Sequence, residues 1–269
     1  MKNIKITAVL FVLLALSAGA VALASHSWGG YHWARTANPL TLKLGDNVSA
    51  AWDGYLTNSS DEWSAGSAVL NTLVVTGNTN SKKGRNTPKN CIPTAGRVEV
   101  CNAKYGSTGW LGVAGIWASG GHITQGYVKL NDFYFNTARY NTPAWRKLVM
   151  CQEIAHTFGL DHQDEDFYNT NLGTCMDYTS DPDGSGSNGP LSNVSPDAHD
   201  YEMLETIYAH LDSFTTLNST ASTIAPQVDT SNPREWGREI RTSKDGRASL
   251  FERDFGGGHK LFTFVFWAK

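Results

Sequence analysis

The chain has 269 residues, of which 41% are hydrophobic and 11% aromatic, enough for a real hydrophobic core. Without its N-terminal signal it keeps about 245 residues, the length of one large domain or of one domain with an extension. The formal net charge of −3 excludes the basic surface that a nucleic-acid-binding protein needs.

The first 24 residues predict a secretory signal peptide. Lys2 and Lys5 precede an apolar run over residues 6–20, and Ala22-Leu23-Ala24 matches an A-x-A cleavage site. An uncleaved membrane anchor is the alternative, because the apolar run is nearly long enough to span a bilayer. The small residues at the site favour cleavage. We therefore expect a secreted or extracytoplasmic protein, cleaved after Ala24, that has no membrane contact afterwards.

The chain contains four cysteines, Cys91, Cys101, Cys151 and Cys175. In an exported protein an even number of cysteines suggests disulfides, and four cysteines allow three pairings. A bond between Cys91 and Cys101 would close a small loop. Free, buried thiols at Cys151 and Cys175 are the alternative to a second bond.

Residues 31–131 predict several strands and one helix. Residues 31–44 are rich in aromatic and β-forming residues and indicate the first strand or two. Asp46 is a candidate cap for a helix that runs to about Thr57. The Asn-, Lys- and Gly-rich residues 77–90 indicate an exposed loop. Further strands are expected at residues 70–75, 97–101, 110–117 and 123–130.

A second predicted helix begins at Thr142, a suitable N-cap, with Pro143 in the first helical position. Its apolar residues share one face, and this face also carries two polar residues. The face consists of Trp145, Leu148, Val149, Gln152, Ala155 and His156. An ordinary buried helix with a hydrogen-bonded histidine would give the same pattern, so the residues that follow decide its interpretation.

Those residues form the pattern of a metal site. Gln152 and His156 are four residues apart, so a helix places both on one face. Glu153 adjoins the first of them and is placed to act on water at a metal ion. Gly159 can adopt a positive φ, which ends the helix and turns the chain so that His162 approaches the other two.

This stretch resembles the zinc-binding signature of the metzincin metalloendopeptidases, H-E-x-x-H-x-x-G-x-x-H, with Gln152 in place of the first histidine. Further on, Cys175-Met176-Asp177-Tyr178 resembles the Met-turn of that clan. The resemblance covers roughly residues 28–212, and its specific motifs lie between residues 151 and 178.

The resemblance implies a zinc ion and assigns roles to the residues of the motif. Gln152, His156 and His162 would be the zinc ligands. Glu153 would be the general base, and Met176 would form a hydrophobic floor without binding the metal. A catalytic zinc has three protein ligands and an open position. A neighbouring carboxylate takes a proton from the attacking water and returns it to the leaving amine. An amide oxygen is a poorer zinc ligand than imidazole. The sequence therefore predicts either weak zinc binding or a metal-free pseudoenzyme.

The resemblance also favours a Cys151–Cys175 bond, which would tie the active-site helix to the Met-turn, beside a Cys91–Cys101 bond. It implies that residues 122–131 form an edge strand that lines the cleft and pairs with extended substrate. Tyr178 lies two residues after Met176, the spacing at which astacin-like and serralysin-like metzincins carry a tyrosine near the metal. Tyr178 is then an extra ligand or an oxyanion stabiliser, or else it packs beneath the cleft.

Residues 181–186, with the sequence D-P-D-G-S-G, resemble the start of a calcium loop. The twelfth position is Ser192 instead of the bidentate glutamate that such a loop needs. A plain flexible loop is the simpler interpretation, and calcium is only a secondary expectation. Ser195 and Pro196 predict the start of a helix over residues 196–211. His199 and His210 on it are interpreted as surface or packing residues.

We predict an α+β fold for residues 25–212: a metzincin-like catalytic domain with a twisted, mostly parallel sheet, an active-site helix, a Met-turn and a C-terminal helix. The Ser-, Thr- and Asn-rich residues 213–235 indicate a linker. Residues 236–269 form a short C-terminal β extension with strands at 236–240, 248–253 and 260–267. The last strand is apolar on both faces and should be covered on both. Whether this extension blocks the site, contacts substrate or acts as a strut is left open.

The predicted function is that of a secreted zinc-dependent endopeptidase acting on extended peptide or protein. The alternative is a non-catalytic peptide- or protein-binding module on the same scaffold. Carbohydrate binding is a third hypothesis, suggested by the nine tryptophans, most of which should lie in the core. The oligomeric state is not predicted.

Overall fold

A computed structural model of the chain describes residues 26–80, 87–217 and 228–269, so the predicted signal peptide lies outside the described residues. Within these ranges the chain forms nine strands, which join one mixed sheet, and four α-helices. The strands are β1 His32–Trp33, β2 Leu40–Asn47, β3 Leu70–Thr76, β4 Val98–Ala103, β5 Trp110–Ser119, β6 His122–Asn131, β7 Arg238–Thr242, β8 Ala248–Gly256 and β9 His259–Trp267. The helices are α1 Ala50–Ala65, α2 Asp132–Phe135, α3 Pro143–His156 and α4 Ala198–Ile207.

The sheet has a parallel half and an antiparallel half. Its strand order is β3-β2-β4-β6-β5-β9-β8-β7, and β1 pairs with the start of β6. Strands β1, β2, β3, β4 and β6 pair in parallel, whereas every pair that includes β5, β7, β8 or β9 is antiparallel. The predicted mixture of helices and sheet is confirmed. Among the strands of residues 25–212, for which a mostly parallel sheet was predicted, four pairs are parallel and only β5–β6 is antiparallel. The C-terminal strands join the same sheet and make it mixed as a whole.

The strand predicted at the edge lies inside the sheet. β6, residues 122–131, pairs with β4 on one side and β5 on the other, so its assignment as the edge strand is wrong. The outer side of β5 is covered by β9 along nine register positions, from Trp110 opposite Trp267 to Ser119 opposite His259. The C-terminal strands therefore continue the sheet of the preceding residues instead of standing apart from it.

Two cores cover the two faces of β9. Phe262, Phe264 and Phe266 point into the main core with α1 and α3, whereas Leu261 and Val265 point into a smaller core behind the sheet. This alternation confirms that the last strand is covered on both faces, as its apolar sequence predicted. Eight of the nine tryptophans are also buried, which confirms their predicted place in the core: Trp28, Trp33, Trp52, Trp63, Trp110, Trp117, Trp145 and Trp236.

The start of α3 was predicted correctly, but the other helix starts were not. The Thr142 hydroxyl accepts a hydrogen bond from the backbone of Trp145, and Pro143 opens α3. Asp46 lies in β2, and α1 begins later, after Ser49. The N-cap of α4 is Asp197, because its carboxylate and that of Asp200 each accept the other's backbone N–H. The strong capping box displaces the predicted start at Ser195 and Pro196.

Both predicted disulfides are confirmed, and all four cysteines are paired. Cys91 bonds Cys101 and Cys151 bonds Cys175, with Cα atoms 5.9 and 6.0 Å apart respectively. Among the described residues, none of the helices is both long and apolar enough to cross a bilayer.

The predicted linker is described only at its two ends, residues 213–217 and 228–235, and residues 218–227 lie outside the described ranges. The first end is held next to β1 and the second is held to β6. The Thr216 backbone N–H donates to the carbonyl of Ala34, and the Lys129 amine donates to the Thr230 hydroxyl.

Candidate functional site

α3 carries three of the predicted site residues, and a glycine brings the fourth back towards them. Gly159 follows α3 with a φ of 107°, the left-handed conformation that the sequence predicted. A Cβ atom there would lie 2.5 Å from the carbonyl oxygen of Tyr31, so only glycine fits. After this turn, the Nε2 atoms of His156 and His162 lie 3.0 Å apart.

Each of these histidines is oriented by a hydrogen bond at its other nitrogen. His156 Nδ1 lies 2.9 Å from the carbonyl oxygen of Leu160, and His162 Nδ1 lies 2.7 Å from Oε1 of Glu165. Because these oxygens accept hydrogen bonds, both Nδ1 atoms are donors, and in the neutral rings the two Nε2 lone pairs face each other. Burial, with a smaller effect from His162, lowers the pKa of His156 well below its ordinary value. The two imidazoles are therefore oriented as metal ligands are, because each has a hydrogen-bond partner at the nitrogen that faces away from the other ring.

Gln152 and Glu153, one turn before His156 on α3, carry buried polar atoms that lack partners. Both side chains are fully enclosed, and neither amide atom of Gln152 has a hydrogen-bond partner among the described residues. The same holds for Oε2 of Glu153. Burial raises the pKa of Glu153 well above its ordinary value, and a hydrogen bond from the backbone of Ala114 offsets this in part. Buried polar groups without partners are costly, so such a cluster indicates a ligand.

These residues fit a zinc ion. Two imidazole nitrogens and one amide oxygen would supply three protein ligands of types that zinc accepts, and the Glu153 carboxylate follows Gln152 in the chain. The close approach of α3 to the sheet depends on Gly112 in β5. A Cβ atom there would lie 2.6 Å from Oε1 of Glu153 and 2.5 Å from Val149. The helix can therefore place Glu153 against β5 only because this residue is glycine.

The predicted Met-turn lies directly against the loop that carries His162. The carbonyl of Met176 accepts the Gln163 N–H at 2.7 Å, and the Tyr178 N–H donates to the Asp164 carbonyl at 3.0 Å. Met176 is fully buried in the main core. The Tyr178 ring lies 4.4 Å from the His162 ring. Its hydroxyl donates instead to the carbonyl of Val265 in β9, so it is engaged by the C-terminal strand.

The C-terminal strands cover the whole site. Phe264 of β9 stacks on His156, with ring centroids 4.1 Å apart. Arg241 of β7 makes an ion pair with Asp161, the residue before His162, and the Ser249 hydroxyl donates to Glu165. The exposed fractions of the predicted ligands are 0% for Gln152, 1% for His156 and 9% for His162. The C-terminal strands therefore keep these side chains almost entirely out of contact with solvent.

The predicted calcium loop is held by its own backbone. Asp181 Oδ2 accepts the Gly186 N–H at 2.8 Å and the Asn188 N–H at 3.3 Å. Asp183 Oδ1 accepts hydrogen bonds from the backbone and hydroxyl of Ser185. These bonds account for the shape of the loop, and calcium stays an untested expectation.

The sequence interpretation missed a second cluster of ligand-type residues. His210, interpreted as a surface or packing residue, lies 3.1 Å from His32 through their Nε2 atoms. His122 and Asp212 belong to the same cluster. The spacing His210-Leu211-Asp212 was the one local signal, but the partners lie 90 and 178 residues away along the chain. Such separations carry no pattern that a single sequence reveals.

Comparison of the chain with models of known protein families finds no match, and comparison with curated proteins finds none either.

Proposed function

We propose that this protein is a secreted zinc-dependent endopeptidase of the metzincin type, held in a closed form by its own C-terminal strands. One observation carries the proposal. The Nε2 atoms of His156 and His162 meet at 3.0 Å, and Gln152 and Glu153, one turn earlier on α3, carry buried polar atoms without partners. The two disulfides support an oxidising, extracytoplasmic location.

The chain's own residues have distinct tasks in this proposal. His156, His162 and Gln152 would hold the zinc ion, which supplies Lewis acidity for polarising a scissile carbonyl. Glu153 accepts a proton from the attacking water and passes it to the nitrogen of the leaving amine. Glu165 keeps His162 in the tautomer whose Nε2 is free to bind. The Cys151–Cys175 bond keeps the helix that carries Gln152 against the Met-turn.

The β9 strand occupies the position of an extended peptide. It runs antiparallel to β5 along nine register positions and places Phe264 over His156. A substrate that adds a strand to β5 needs the same backbone groups, so it competes directly with β9. This explains how the site can be complete and yet buried, and it favours the role of a blocker among those left open for the C-terminal strands.

Zinc content and cleavage of an unstructured protein such as casein test the proposal. Wild type should contain one more zinc ion per chain than His162→Ala, measured by elemental mass spectrometry. The Phe264→Ala variant, in which the cover over His156 is reduced, should cleave casein, and adding Glu153→Gln to it should abolish cleavage while zinc remains. Equal zinc content in wild type and His162→Ala, or undiminished cleavage with Glu153→Gln, would contradict the proposal.

A non-catalytic peptide-binding module is the second candidate, and the β5–β9 pairing is the observation that favours it. β5 already holds an extended segment along its whole length. On this hypothesis the Phe264→Ala variant binds an added peptide with the sequence of residues 259–267 but cleaves nothing, with or without zinc. Cleavage that depends on Glu153 would exclude it.

A further inference from the structure

Three histidines and one aspartate meet away from the candidate active site. His32 lies on β1 and His122 begins β6, whereas His210 and Asp212 follow α4. Oδ1 of Asp212 lies 3.2 Å from Nε2 of His122, 3.5 Å from Nε2 of His32 and 3.8 Å from Nε2 of His210. The Nε2 atoms of His210 and His32 are 3.1 Å apart.

Four of the six separations among these ligand atoms are close to the edges of a tetrahedron around one ion. Zinc lies about 2.1 Å from imidazole nitrogen and carboxylate oxygen, so its tetrahedral ligands are about 3.4 Å from one another. The four separations, from 3.1 to 3.8 Å, bracket that value. The ligand atoms of His32, His122 and Asp212 all lie within 4.8 Å of one another. Three imidazoles and one carboxylate are a donor set that suits zinc.

Hydrogen bonds from neighbouring groups fix the orientation of His32 and Asp212. His32 Nδ1 lies 2.9 Å from the carbonyl oxygen of Gly30, which accepts its hydrogen and leaves Nε2 with a lone pair. The second carboxylate oxygen of Asp212 accepts from the backbone and the guanidinium of Arg35, at 3.1 and 3.2 Å. Oδ1 therefore faces the histidines alone.

The cluster is enclosed except at one side. The side chains of His32 and Asp212 are 9% and 8% exposed, that of His122 is 23% exposed and that of His210 is 56% exposed. An ion could therefore enter past His210 and, once bound, would have four protein ligands. A closed set of four ligands is typical of a structural site, whereas a catalytic site keeps one position open.

We propose that His32, His122, His210 and Asp212 bind a structural zinc ion. The ion fastens β1 and the segment after α4 to the start of β6, so three stretches that are distant in sequence share one anchor. The proposal is independent of the active-site assignment, because the two clusters share no residue.

Zinc binding by the full chain carrying His162→Ala tests the proposal, because that substitution removes the other candidate site. After treatment with a chelator and dialysis against zinc, this chain should retain one zinc ion. Adding His32→Ala or Asp212→Asn should remove it, whereas adding His259→Ala, at an exposed histidine on β9, should not. With cobalt in place of zinc, only chains with the intact cluster should show the intense visible bands of a tetrahedral site.

A milder variant guards against misfolding. His210 is half exposed, so His210→Ala should keep the circular dichroism spectrum of the parent. Its zinc affinity should fall by about tenfold or more, since loss of a group that only hydrogen-bonds a metal ligand already costs about that much. If the His162→Ala chain binds no zinc, or if it binds zinc equally well after His32→Ala and His210→Ala, the proposal is overturned.

Discussion

The Phe264 ring lies flat on the imidazole of His156, with centroids 4.1 Å apart and planes inclined by 11°. Phe264→Ala should therefore uncover one face of a predicted zinc ligand. We expect faster removal of zinc by a chelator and the appearance of peptidase activity, with a loss of about 3–5 kcal/mol in the free energy of unfolding because a large buried ring is deleted. Chelator-exchange kinetics and casein cleavage measure the first two effects, and denaturant unfolding measures the third.

Phe262 provides the matched control for that change. It lies on the same strand and the same face, but its ring packs against Trp28 and Tyr31, with centroids 4.9 and 4.7 Å away. Phe262→Ala should cost a similar free energy of unfolding and leave zinc exchange and activity close to wild type. Equal effects of the two substitutions on zinc exchange would show that general loosening of β9, and not the contact with His156, controls access.

Gln152→His should strengthen zinc binding. The side chain lies on the same face of α3 as His156, one turn away, and imidazole is a better zinc ligand than an amide oxygen. We expect zinc affinity to rise by about tenfold or more, which corresponds to about 1.4 kcal/mol. Competition with a chromophoric chelator measures it, and Gln152→Ala is the control that should bind zinc more weakly than wild type. An affinity unchanged by both substitutions would show that residue 152 does not contact the metal.

The local features of the site could be predicted from the sequence because short-range geometry determines them. A spacing of four residues in a helix fixes the relation of Gln152 to His156, and Gly159 adopts the positive φ that its position required. The start of α3 at Thr142 and Pro143 followed from capping chemistry in the same way. Each of these predictions depends only on residues that are close together in the chain.

The covering of the site could not be predicted, because it depends on strand pairing between distant segments. An apolar β9 indicated that both faces are buried, but nothing in its sequence selects β5 as its partner. The incorrect edge assignment of residues 122–131 has the same cause, since β5 and β6 are both apolar and adjacent in the chain. The cluster of His32, His122 and Asp212 likewise depends on contacts across the whole fold.

The two disulfides should differ in their effect on the site but not in their effect on stability. They close loops with sequence separations of 10 and 24 residues, and removing either pair should lower the free energy of unfolding by about 3 kcal/mol. Cys151 adjoins Gln152, whereas Cys91 and Cys101 lie in the core behind the sheet. We therefore expect weaker zinc binding with Cys151→Ala/Cys175→Ala and unchanged zinc binding with Cys91→Ala/Cys101→Ala. Chelator competition and denaturant unfolding distinguish the two effects.

Lys129 should make stability depend on pH in the range from 7 upward. Its amine is buried behind β6, where it donates to the hydroxyls of Thr230 and Ser231 at 2.6 and 2.9 Å. Burial lowers its pKa from 10.5 to about 7, although the charge of Asp229 acts in the opposite direction. Between these two pH values the unfolded chain binds more protons than the folded chain, so the free energy of unfolding rises with pH.

The slope should reach at most about 1.4 kcal/mol per pH unit, the value for a single group. Below pH 7 both states carry the proton, so Lys129 no longer contributes to the slope. Methionine has a similar length to lysine and no charge, so Lys129→Met should remove the slope between pH 7 and 9. Tyr105 and Tyr127 do not contribute in this range, because burial raises their pKa values and both stay protonated. Denaturant unfolding at several pH values measures both proteins. Identical slopes would mean that the Lys129 amine keeps its ordinary pKa in the folded chain.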